Sequence, residues 1–203
     1  LGVKISYHYN PVDVACEYCV NSRRRKCRIM GCPWLAERIE AGVVSYASAV
    51  RELFGGVADE AFIKRLGSLV LHFRGSFWLS AEHEFNTRLL LKSVGYEAWR
   101  NPRFFAVLYL FGSNRALMKR AWNACLPGGF EPGFLVMRGV SAHDYTLIQA
   151  AKAITGCSSG LELEDLADAE IVDDTAFRLI VNAMLIANYG PDVLKLGGTE
   201  ITY

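Results

Sequence analysis

Along most of the chain, apolar residues recur three and four positions apart, and the breaks between these runs fall at Gly, Pro, Asp and Ser. This spacing predicts a succession of amphipathic helices with recognisable starts and stops. Pro33 suits a first helical turn, and WLAERIEAG carries that helix to Gly42. A second, over roughly 45–54, places Tyr46, Val50 and Leu53 on one face and stops at Gly55-Gly56. Asp59 is the expected N-cap of a third, striped by Phe62, Ile63, Leu66, Leu69 and Val70. Ser80 opens a fourth, AEHEFNTRLLLKSVG, which closes at Gly95.

The segment NPRFFAVLYLFG is apolar on every side yet too short to cross a membrane, which predicts a central helix buried by its neighbours. An amphipathic helix over 114–126 follows, broken by PGG, and Ser141 begins another that runs to Gly156. There S-A-H-D has capping-box spacing, with Asp at its fourth position. The last long helix, over 175–189, presents Leu179, Ile180, Ala183, Met184 and Ala187 on one face and ends at Gly190-Pro191. Between these elements GFLVMRGV, bounded by Gly and Pro, is the best strand candidate, with VKISYHY, VLKL or TEITY as partners. The expectation is a mainly α, multi-helix globular domain with a small β element. Residues 1–42 form an N-terminal segment packed on the body, and residues 43–203 the helical domain.

At 203 residues, with 52% apolar and 21% charged, the chain can bury one sizeable core. The formal net charge of +1 hides an asymmetry. Between Val20 and Cys32 stand Arg23, Arg24, Arg25, Lys26 and Arg28 with no acid among them. From Gly156 onward the balance reverses through Glu162, Glu164, Asp165, Asp168, Glu170, Asp173 and Asp174. A basic head and an acidic tail attract different partners, or each other. No apolar run is long enough for a membrane span, and LGVKISYHYN lacks a signal-peptide core, so a cytoplasmic location without a membrane is expected.

The most specific feature is CEYCVNSRRRKCRIMGC, with Cys16, Cys19, Cys27 and Cys32 wrapped around the basic run. A C-x2-C pair supplies two thiolates from one turn, and Gly31 can bend the chain to bring Cys32 round, which is the donor set of a tetrahedral zinc ion. Four protein ligands leave no open position, so such a zinc is structural: it folds a segment with little apolar content, with Trp34 and Leu35 pinning it to the body. Two disulfides and an iron-sulfur cluster stay open as alternatives, and His8 could replace one ligand. Cys125 and Cys157 read as packed small residues. The basic loop suits phosphate contacts, which makes nucleic acid a candidate partner, and an acidic protein surface is its rival. A protein partner calls for an exposed apolar patch, with Phe77, Trp78 or Trp99 as candidates.

Catalysis finds little support. His83-Glu84 is not followed by the second histidine of H-E-x-x-H, because Thr87 stands there. Ser141, His143 and Asp144 have the residue types of a nucleophilic triad but sit too close together at a helix start to align, so the cap reading is preferred. The acidic segment lacks the spacing of a calcium hand and reads as a solvated loop. An enzyme survives only as a site assembled in space from His72, His83 and His143.

The strings CEYC and CPWLAERIEAGV near the start, and HDYTLIQAAKAITG and AFRLIVNAMLIANYG near the end, resemble uncharacterised small proteins carried on mobile genetic elements of Gram-positive gut bacteria. The resemblance implies an accessory role in DNA transfer, regulation or counter-defence, and brings no catalytic residues. The sequence therefore points to a protein that works by binding, with a structural zinc site.

Overall fold

A computed structural model describes residues 8–23, 26–27 and 32–196. Its centre is the helix α5, Pro102–Gly112. Asn101 caps it, its side-chain oxygen accepting from the Phe104 amide at 3.1 Å, and Pro102 occupies the first turn. Every residue from Phe104 to Gly112 is buried. A helix that is apolar all round has to be surrounded. The walls are α4 (Ala81–Val94), α7 (Ala142–Ile154) and α9 (Asp174–Tyr189). Outside them lie α1 (Leu35–Glu40), α2 (Tyr46–Phe54), α3 (Glu60–Leu71), α6 (Arg115–Ala121) and the short α8 (Leu163–Ala167). Leu35 and Ile39 of α1 belong to the same apolar core as α5 and α9.

The helix starts follow local chemistry. Ser45, Asp59, Ser80, Asn114, Ser141 and Asp173 each accept a backbone N–H of the first turn that follows them. Each such cap is worth about 1 kcal/mol. Ser141 caps α7 as expected, but Asp144 does not complete a box. Its carboxylate accepts instead from Asn114 Nδ2 at 2.9 Å and ties α7 to the start of α6.

The β content differs from expectation. GFLVMRGV is not a strand: it begins in a 3-10 turn, Pro132–Phe134, and continues as irregular chain. An apolar run bounded by Gly and Pro makes a strand only where another strand takes its carbonyls. Here Arg120 takes them, donating to the carbonyls of Val136 (3.1 Å), Arg138 (2.6 Å) and Gly139 (2.7 Å). VLKL lies in a 3-10 helix, Pro191–Leu196, whereas TEITY and most of VKISYHY lie outside the described residues. Among the described residues the strands form two short antiparallel hairpins. In one, β1 (Ser22–Arg23) pairs with β2 (Lys26–Cys27). In the other, β3 (Cys125–Leu126) pairs with β4 (Gly129–Phe130), which explains why the helix expected to reach Leu126 ends at Ala121.

Arginine clamps recur. Arg65 on α3 donates to the carbonyls of Leu166 (2.9 Å), Asp168 (3.2 Å) and Val172 and to the Asp174 carboxylate (2.9 Å), with its guanidinium 4.4 Å from the Phe177 ring centre. The acidic segment is therefore strapped to α3 rather than left as a solvated loop. Arg178 does the same for the carbonyls of Ser76 (2.8 Å) and Trp78 (3.2 Å). Phe77 is buried while Trp78 and Trp99 are half-buried against the core, so these aromatics do not form the exposed patch anticipated for a protein partner. No helix among the described residues is long and apolar enough to cross a membrane.

Candidate metal and partner-binding lobe

Residues 8–23, 26–27 and 32 belong to a lobe whose shape comes from tight turns. Asp13 Oδ2 accepts from the Asn10 amide (2.8 Å), and the Asp13 amide returns to the Asn10 carbonyl (3.0 Å). A 3-10 turn spans Cys16–Tyr18, and the Cys19 amide donates to the Cys16 carbonyl at 3.2 Å, so the C-x2-C pair occupies one turn. The Ser22 amide then bonds the Cys19 carbonyl at 2.9 Å, which leads directly into the hairpin. Its register sets Ser22 opposite Cys27 and Arg23 opposite Lys26. Cys32 is the hinge to the body: its amide donates to the Glu52 carboxylate on α2, and its carbonyl accepts from the Leu35 amide at 3.2 Å.

Between this lobe and the body lies a cavity of about 570 Å³, and Cys16, Cys19, Cys27 and Cys32 all line it. Trp34, at the start of α1, Glu37 and Arg38 of α1 and Glu52 of α2 line it as well. Cys16 and Cys27 are exposed, whereas Cys19 and Cys32 are half-buried. None of the six cysteines is in a disulfide. Among the described residues, no three His, Cys, Asp or Glu side chains come close enough together to hold a metal ion. The four sulfurs thus share a cavity but not a coordination sphere, and a closed zinc site requires them to draw inward from its walls.

Two further groups mark the cavity. Glu37 Oε2 and Arg38 Nε are buried without a hydrogen-bond partner among the described residues. Buried polar atoms are seldom left so, because each forfeits the hydration it had in water. An unpaired carboxylate oxygen and an unpaired guanidinium N–H beside four thiols suit a site in which thiolates accept hydrogen bonds and a cation neutralises charge. The sequence offered no signal for Glu37, Arg38 or Glu52, which read as ordinary charged positions on helices.

Of the basic run, Arg24, Arg25 and Arg28 lie outside the described residues, and Arg23 and Lys26 are described as backbone partners in the hairpin. His8, the possible substitute ligand, sets Nδ1 2.9 Å from Glu40 Oε1. Cys125 is buried, its thiol pushed up to about 12 by burial, and Cys157 lies 3.5 Å from the Thr155 hydroxyl.

The histidines invoked for catalysis have separate tasks. His72 is exposed and donates Nδ1–H to the Ser68 carbonyl at 2.8 Å. His83 is fully buried: Nε2–H donates to the Tyr109 carbonyl (2.8 Å) and Nδ1 accepts from the Leu79 amide (3.2 Å). Burial lowers its pKa to about 4, holding it neutral inside a polar chain in which Tyr46 donates to Asn182 (2.9 Å), Asn182 to Tyr109 (3.2 Å) and Tyr109 to the Phe77 carbonyl (2.6 Å). His143 Nδ1 sits 2.6 Å from Asp173 Oδ2. Burial acts to raise the Asp173 pKa, but hydrogen bonds from His143 and from the Ala176 and Thr175 amides outweigh it and leave it lowered. Ser141, His143 and Asp144 therefore point to three different partners.

Comparison with protein-family models, with curated proteins and with solved structures finds no match, so the lobe is read from its own chemistry.

Proposed function

We propose that the chain is a non-enzymatic binding protein whose N-terminal lobe folds around a structural zinc ion on Cys16, Cys19, Cys27 and Cys32 and offers Arg23, Arg24, Arg25, Lys26 and Arg28 to nucleic acid. The observation that carries this reading is that four cysteines spread over CEYCVNSRRRKCRIMGC all line one cavity, which Arg38 also lines. Bound zinc would supply folding energy, not reactivity, because four thiolates complete its tetrahedron. The hairpin that separates Cys19 from Cys27 then serves as a rigid mount for its cations. An accessory or regulatory role on a mobile genetic element accords with such a module.

An acidic protein surface is the second reading. It is favoured by the exposed Val12, Tyr18 and Val20 of the same lobe, apolar side chains that phosphate contacts do not need.

Elemental analysis of protein purified without added metal tests the first premise. About one zinc per chain is expected, and it should be lost when Cys16 and Cys19 become Ser; a metal-free wild type overturns the reading. For the ligand, replacing Arg23, Arg24 and Arg25 by Ala should flatten the slope of log affinity against log salt by about 2 to 3 on DNA or RNA. An unchanged slope assigns the lobe to a protein partner.

A further inference from the structure

Away from the cysteine lobe, α6 and the chain that returns beside it build a second exposed surface. The Glu131 amide bonds the Ala124 carbonyl at 2.8 Å, and Arg120 grips the carbonyls of Val136, Arg138 and Gly139, so residues 131–139 run back along residues 120–124. This strip exposes Trp122, Leu126, Phe134, Val136 and Met137, with Phe134 60% exposed. Arg115, Lys119 and Arg138 are exposed around it, and none has an ion pair among the described residues. Glu131 is the acid exposed on the same strip. Trp, Phe, Met and Arg are the residues enriched at the centres of protein interfaces, and the aliphatic members offer nothing for a nucleic-acid base to stack on.

The complementary surface is present on the same chain. The segment strapped down by Arg65 exposes Leu163 and Ile171, the latter 53% exposed, beside Glu164 and Glu170. Neither glutamate has an ion pair among the described residues, whereas Asp165 is engaged at the start of α8. The start of α6 and the acidic segment are both tied to the N-terminal end of α9: Asn114 bonds Asp144, its neighbour His143 bonds Asp173, and Arg65 links Asp174 to the acidic segment. We propose that the chain pairs with a second copy of itself, the basic and apolar α6 strip of each protomer against the acidic and apolar segment of the other. Two complementary patches on one molecule allow a two-fold arrangement in which each contact is made twice and the assembly closes.

Sedimentation velocity over a range of protein concentrations reads this directly. A monomer–dimer equilibrium weakened by salt is expected. The variants K119E/R138E and E164K/E170K should each raise the dimer dissociation constant at least about tenfold, and an equal mixture of the two should restore association as a heterodimer. The substituted residues are exposed, so circular dichroism of both variants should match that of the wild type. A wild type monomeric at every concentration overturns the proposal, as does a dimer that neither variant weakens, or a mixture that fails to associate. A monomer in which K119E/R138E abolishes binding to an oligonucleotide reassigns the strip to nucleic acid and overturns it too.

Discussion

Gly112 on α5 and Thr87 on α4 meet so closely that no side-chain carbon fits between them: a Cβ on Gly112 would stand 2.8 Å from the Thr87 amide nitrogen and closer still to its hydroxyl. The two helices are also joined at this point by a hydrogen bond from Asn86 Nδ2 to the Gly112 carbonyl at 3.2 Å. G112A should therefore force the central helix away from its wall and cost about 2 to 3 kcal/mol. Chemical denaturation measures it, and a change below about 0.5 kcal/mol would mean that the helices do not cross here.

Acid should destabilise the protein through His83. Its folded-state pKa of about 4 lies below the ordinary histidine value of 6.5, so its contribution is complete above about pH 6.5 and is lost as pH falls through about 4. The loss amounts to about 3 kcal/mol. Unfolding free energies between pH 7 and 4 should show this slope in the wild type and a flatter profile in H83Q. Asp173, whose pKa is also lowered, contributes stability that is present above the usual carboxylate range and lost further down as pH falls. Equal slopes in wild type and H83Q would refute the assignment.

Removing the Arg65 guanidinium should release the acidic segment. R65A leaves the carbonyls of Leu166, Asp168 and Val172 without the donor that holds them, and R65K can satisfy only part of the set. Limited proteolysis should then cut between Leu161 and Val172 at least about tenfold faster in R65A, with R65K in between. Unchanged cleavage would show that α8 is held by apolar packing alone.

Chelation should separate the lobe from the body. If zinc holds residues 13–32, a strong chelator should make them protease-sensitive while the main thermal transition moves little, because the core around α5 does not depend on them. R38A should weaken metal retention in a competition with a chromogenic chelator without changing helical content, as expected for a buried donor on a residue that lines the same cavity as the thiols. Retention equal to wild type would leave Arg38 with only a packing role.

Helix positions were legible because α5 is apolar on every side, and because the caps at Asp59, Ser80 and Ser141 use short polar side chains that compete for first-turn amides wherever they occur. The strand reading of GFLVMRGV failed for a definite reason. Its carbonyls are claimed by Arg120 from across a turn, and an arginine on a helix carries no mark of whether it faces water or a loop. The same blindness hid the strap from Arg65 to the acidic segment. At the lobe, spacing was enough to group the four cysteines, but only folding brings Glu37 and Arg38 of α1 and Glu52 of α2 to the same cavity.

The enclosure of α5 has one more consequence. With Phe104 to Gly112 wholly buried, its amide protons can reach solvent only when the entire molecule opens, so their deuterium exchange rate gauges global stability. A ligand released when the whole chain opens must slow that exchange by a factor of one plus the ratio of its free concentration to its dissociation constant. A second protomer on the α6 strip and the acidic segment can thus be weighed by this internal clock, whereas a ligand confined to the lobe should leave it unmoved.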